Sequence, residues 1–168
     1  MPLSEEYQYT HDIDLFCIIS ENYIHIASNG GLLPNNINNT ILLERIQNHV
    51  AQMPSIFNYK LNKTYLDKIL NDGRLRHVEM LDDNSVDLFV PMSVDFGNHQ
   101  LSPKEKVYCW SFIEMAQKGF FSYDRDNDGY HLIAKPTELL DDSQHVNYPL
   151  NLPQLNSEEI KLIDFPEL

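Results

Sequence analysis

The stretch from Ser102 to Pro136 constrains this chain most, because it couples a helix with clear start and stop signals to a hairpin with a clear turn. Ser102 is a good N-cap, Pro103 fits the first helical position, and Glu105 falls where a capping box places its acid. Val107, Tyr108, Trp110, Phe112, Ile113, Met115 and Ala116 follow before Gly119 stops the run. They cover more than one stripe, so the sequence predicts a central helix over 103–118 that is enclosed on several sides. Phe120-Phe121-Ser122-Tyr123 and Tyr130-His131-Leu132-Ile133-Ala134 then flank Asp126-Asn127-Asp128-Gly129, which reads as a β-hairpin.

The preceding residues supply partners for that unit. Asp14 to Ser20 and Tyr23 to Ser28 are rich in β-branched and aromatic residues and read as two strands joined at Glu21-Asn22. Alternation puts Ile24 and Ile26 on one face and Tyr23, His25 and Ala27 on the other. Leu42, Leu43, Ile46, Val50 and Met53 recur at helical spacing, which predicts an amphipathic helix over 39–53 that ends before Pro54. A shorter helix is expected over 62–70, with Asn62 as its cap. Arg74 to Leu81 alternates as a half-buried strand, with Val86 to Val90 as its hairpin partner and Ser93 to Phe96 as a continuation. Residues 1–13 read as a polar lead-in.

The expected fold is therefore α+β: hairpins 14–28, 74–90 and 120–134 form a mostly antiparallel sheet packed on the 103–118 helix, with the 39–53 helix alongside. A largely helical domain with peripheral hairpins is the alternative. Residues 1–136 are expected to form one globular domain, since a chain of 168 residues buries roughly two-thirds of its unfolded surface. Residues 137–168 carry Pro149, Pro153 and Pro166 with acidic pairs at Asp141-Asp142 and Glu158-Glu159. They are expected to wrap the domain in extended form or to be partly disordered, with 157–163 as a short helix or added strand.

Charge narrows the functional classes. Twenty-five acids oppose twelve Lys and Arg, a net charge of −13, and this field repels phosphates. Nucleic acid is thus disfavoured as a partner; the same field would attract a basic protein, although most acidic domains are simply soluble ones and that plain reading is preferred. A winged helix is disfavoured too, because residues 74–96 read as strands and the would-be wing bears Asp124, Asp126 and Asp128. The N-terminal residues lack a basic and apolar leader pattern and no apolar window reaches membrane-spanning length, so a cytoplasmic protein without membrane contact is expected. Cys17 and Cys109 lie in apolar elements and read as buried thiols.

Four groups of residues invite chemical readings. Asn29 to Asn36 holds Gly30-Gly31 before a helix, but its spacing matches no phosphate-binding fingerprint. Asp124 to Gly129 resembles the opening of an EF-hand loop, yet the twelfth position is Lys135 rather than Glu, and a polar turn is the preferred reading. His11, Asp12 and Asp14 are metal-ligand types with both aspartates on one side of an extended segment, although the pattern is weak alone. Of the seven histidines (His11, His25, His49, His77, His99, His131 and His145), His25, His77 and His131 fall in expected strands and would converge only if those strands are neighbours. For His25 alone, a hydrogen-bonded sheet histidine is the preferred reading.

No nucleotide, cofactor or nucleophile motif is complete, so no cofactor or metal is expected and no catalytic residue is assigned. The preferred function is a non-catalytic protein-binding or regulatory module, in the manner of small acidic immunity-type proteins. The alternative is a hydrolase whose His and Asp residues are assembled by the fold.

Overall fold

The computed structural model describes residues 2–35, 37–71, 83–156 and 158–163. Along the chain they form α1 (Glu5–Thr10), β1 (Asp14–Ile19), β2 (Asn22–Ala27), α2 (Thr40–Gln52), β3 (Phe57–Leu61), α3 (Lys63–Asn71), α4 (Asp83–Phe89), α5 (Pro103–Gln117), β4 (Phe121–Arg125), β5 (Tyr130–Leu139) and β6 (Leu162–Ile163). The architecture is α+β, with a mixed, mostly antiparallel six-stranded sheet and helices packed on it. The largely helical alternative is excluded by that sheet.

Local chemistry explains the elements that the sequence announces. The Ser102 side chain accepts from the Glu105 N–H and the Glu105 carboxylate accepts from the Ser102 N–H, completing the capping box of α5. Asn39 caps α2 by accepting from the N–H groups of Ile41 and Leu42. The Asn62 side chain likewise accepts from the Tyr65 N–H at the start of α3. At the β4–β5 turn, Asp126 Oδ1 accepts from the N–H groups of Asp128 and Gly129, the side-chain mimic of a turn that makes Asp a turn former.

The strand order β1-β2-β4-β5-β3 joins two antiparallel hairpins, β1–β2 and β4–β5, through a parallel pairing of β2 with β4. β6 pairs in parallel with the start of β5. One face of the sheet (Leu15, Cys17, Ile19, Ile24, Ile26, Tyr123 and Leu132) packs against Leu33, Ile37, Leu155 and Ile160. The opposite face (Ala27, Leu61, Ile133 and Ala134) packs against Cys109, Phe112, Ile113 and Ala116 of α5 and Leu66 and Ile69 of α3. Phe16 and Phe120 meet Ile46, Val50 and Met53 around α2. The isoleucine and histidine faces of β2 separate as the alternation requires.

Four expectations need correction. Val86–Val90 belongs to helix α4 and its end, not to a strand: Val90 N–H donates to the Val86 carbonyl, and that pair points inward while Leu88 and Phe89 face solvent. A five-residue stretch with four apolar residues fits both periods, and contact with α5 selects the helical one. Its intended partner, Arg74–Leu81 with His77, lies outside the described residues. Ser93–Phe96 is irregular; the Asp95 carbonyl accepts from the Gln117 side chain and the Phe96 carbonyl from the Tyr59 hydroxyl. Residues 5–10 are helical, because Ser4 caps them and two acids occupy the first turn. β3, unforeseen, completes the far edge of the sheet against β5, which continues through Pro136 to Leu139.

The C-terminal segment pairs at Gln154 beside Ile18 and, through β6, with β5, burying Leu155 and Ile160 between those anchors and Leu152 just before them. Among the described residues no helix is long and apolar enough to cross a membrane.

Candidate functional site

Sheet register builds the polar end of the molecule. Asp14 lies opposite Ala27, Ala27 opposite Asp124, and Asp124 opposite His131, so one row across β1, β2, β4 and β5 carries two acids and an imidazole. One row further in, His25 is opposite Ser122.

His25 is 1% exposed and lies between Phe16 and Phe112, with ring centroids 5.1 and 6.2 Å away. Its Nδ1 is 2.7 Å from Ser122 Oγ and its Nε2 is 2.8 Å from Asp14 Oδ1. An ionised Asp14 only accepts, so in neutral His25 the proton resides on Nε2 and the Ser122 hydroxyl donates to Nδ1. Burial pushes the Asp14 carboxyl up, but the hydrogen bond and charge of His25 outweigh it and hold the group below its ordinary value.

Asp, His and Ser in sequence have the composition of a hydrolytic triad, and the arrangement was not visible from their spacing along the chain. Two features oppose nucleophilic chemistry. Ser122 is fully buried in the middle of a strand, where no carbonyl carbon can approach its oxygen. The two ring nitrogens also have reversed partners compared with a triad, in which Nε2 faces the serine. The trio ties three strands together.

Beside it, the Tyr108 hydroxyl donates to Asp124 Oδ2 at 2.6 Å. Burial pushes the Asp124 carboxyl up to about 6, with the charge of Asp12 adding to the rise, against hydrogen bonds from Tyr108 and the Arg125 N–H and the charge of His25. Burial and the same carboxylate drive the Tyr108 phenol strongly upward.

Asp14 also opens onto a cleft of about 720 Å³ between α1, β1, α2 and α5. That volume lies within the range of small-ligand sites. Its polar lining is one-sided: Asp12, Asp14, Glu44 and Glu114 contribute four carboxylates, with Tyr7 at the α1 side. Lys118, the one cation in the lining, is buried, and its Nζ donates to the Val50 carbonyl at 2.9 Å with Glu114 at 3.6 Å.

The other sequence candidates disperse. Asp12 and Asp14 do line one cleft, but His11 turns away, stacking on Tyr7 with Nδ1 2.8 Å from the Tyr7 carbonyl. Asp12 accepts from the Asn29 N–H. His49 contacts the Asn147 carbonyl, and His99 stacks on Tyr59. His25 and His131 share a sheet face but stand two strands apart, with β4 between them. Gly31 abuts the Arg125 side chain, leaving no open phosphate cradle there.

The thiols are buried; burial pushes Cys17 up to about 12 and raises Cys109 as well, so neither is a ready nucleophile. Comparison with protein-family models, curated proteins and solved structures found no match to this chain.

Proposed function

We propose that this chain is a non-catalytic binding protein of the immunity type, which takes a cationic group of a basic partner into the cleft between α1, β1 and α2. The observation that carries this reading is the cleft's charge: four carboxylates line it, and its lysine is turned inward onto Val50. An ammonium or guanidinium entering there meets several carboxylates at once, while the half-exposed Tyr7 ring offers a cation–π face. The net charge of −13 steers basic proteins toward the molecule and nucleic acids away from it. The reading includes a cytoplasmic setting, which the two unpaired cysteines favour. The hydrolase alternative is weakened by the burial of Ser122.

The test is an NMR titration of the full chain with a hexa-arginine peptide at low and moderate salt. Shifts should centre on Tyr7, Asp14, Glu44 and Gln47, weaken as salt rises, and diminish in Asp12→Asn and Glu44→Gln variants. Shifts spread evenly over the acidic surface and unchanged in both variants would refute the cleft as the recognition site.

A further inference from the structure

A second site lies three strand spacings from Asp14, about 14 Å along the same row, at the turn between β4 and β5. Asp126, Asp128 and His131 each offer one ligand atom there, and these atoms all lie within 4.8 Å of one another. Among the described residues this is the one such group of His, Cys, Asp and Glu.

His131 is the independent pointer to a ligand. It is 7% exposed, and among the described residues neither ring nitrogen has a hydrogen-bond partner. Nε2 is only 2.8 Å from Asp126 Oδ2, close enough for an ion pair, but its N–H direction does not meet the oxygen. A nitrogen and a carboxylate oxygen side by side without a hydrogen bond between them match the spacing of two ligands in one coordination shell.

The surroundings hold both groups in that pose. Tyr65 stacks on the His131 ring at 4.1 Å and 7°, and its hydroxyl donates to Asp126 Oδ2 at 3.0 Å. Asp126 Oδ1 is fixed by the N–H groups of Asp128 and Gly129. Supports of this kind set ligand orientation in metal sites. Two metal–ligand bonds of roughly 2.1 Å span at most about 4.2 Å, so the exposed Asp128 side chain has a small rotation to make.

We infer that Asp126, Asp128 and His131 form a binding site for a divalent first-row transition ion, of which Zn²⁺ is the representative. The imidazole nitrogen selects such an ion over Ca²⁺ or Mg²⁺, which prefer oxygen alone. The calcium-loop resemblance of 124–129 therefore points to the right turn and the wrong ion: Lys135 stands where a bidentate Glu would complete a calcium shell, and His131 follows on the strand.

The experiment is calorimetric titration of the full chain with ZnCl₂ and, separately, CaCl₂, together with ¹⁵N NMR of the imidazoles. The expected result is one-to-one Zn²⁺ binding, no comparable Ca²⁺ binding and a metal-induced shift at His131 Nε2. Asp128→Asn, a change at an exposed position that spares the fold, should weaken Zn²⁺ by at least the roughly 10–100-fold seen when supporting residues of metal sites are lost. His131→Gln should abolish it. Absence of Zn²⁺ binding, tighter binding of Ca²⁺, or Zn²⁺ binding unchanged in Asp128→Asn would each overturn the assignment. None of these results depends on whether a cationic peptide occupies the cleft.

Discussion

Ser122→Ala isolates what the buried Asp14–His25–Ser122 trio contributes. The substitution removes one oxygen and leaves His25 Nδ1 without its 2.7 Å partner, in a ring that is 1% exposed beside a residue that is fully buried. The vacated space is about one oxygen atom, too small for a water to replace the bond. The cost is then the desolvation of an unsatisfied buried acceptor, about 1–3 kcal/mol. That is a sizeable share of the roughly 5–15 kcal/mol that holds a domain folded. For a chain of this length it corresponds to a fall in Tm of about 2–12 °C.

Urea unfolding followed by circular dichroism should show a lower midpoint with an unchanged slope, because the surface exposed on unfolding stays the same. A double-mutant cycle with Asp14→Asn should show coupling of about 0.5–3 kcal/mol, since both residues bond one imidazole. Binding of the hexa-arginine peptide by Ser122→Ala should be unaltered. A loss below about 0.5 kcal/mol, the scale of changes away from buried polar networks, would refute the claim that the trio is structural.

Two further perturbations probe other parts of the fold. Burial pushes the Glu105 carboxyl up, but hydrogen bonds from Lys63 and the Ser102 N–H, with the Lys63 charge, hold it below 4.5; its contribution is therefore present above pH 4.5 and lost as pH falls through the lowered value. Lys63 is half exposed, so Glu105→Gln should cost no more than about 1 kcal/mol at pH 7, with the cost shrinking as pH falls below 4.5, and a cost in urea melts that stays constant through the acid range would contradict this. Gly119 has φ +106°, and a Cβ there would meet the Tyr148 hydroxyl and the Phe57 ring. Gly119→Ala should destabilise by about 1–3 kcal/mol from backbone strain alone, with more from displacing Tyr148, and a thermal melt within 1 °C of the parent would show that the backbone relaxes freely.

Much of the fold was legible because its signals act over a few residues. The capping box at Ser102–Glu105, the Asn39 cap and the Asp126-to-Gly129 turn each specify an element by bonds within four positions. β3 was also legible: Phe57, Tyr59 and Leu61 alternate with Asn58 and Lys60, the pattern of a half-buried strand. So was α1, since Ser4 followed by Glu5 and Glu6 is a helix start. Residues 86–90 were not legible, because Val86 and Val90 satisfy helical spacing as well as strand alternation and only packing on α5 separates the two.

The sites divide the same way. By itself the sequence determined that the chain is acidic, that its surface field repels phosphates, that His25 lies opposite the isoleucine face of β2, and that Asp126 opens a turn. Tertiary structure alone decided that Ser122 reaches His25 across 97 positions, that Tyr65 covers His131, and that Asp12, Asp14, Glu44 and Glu114 surround one cleft. The physical reason is the parallel pairing of β2 with β4. No turn or cap specifies it, because strands far apart in sequence become neighbours only when burying their apolar faces outweighs the entropy of closing the long loop between them.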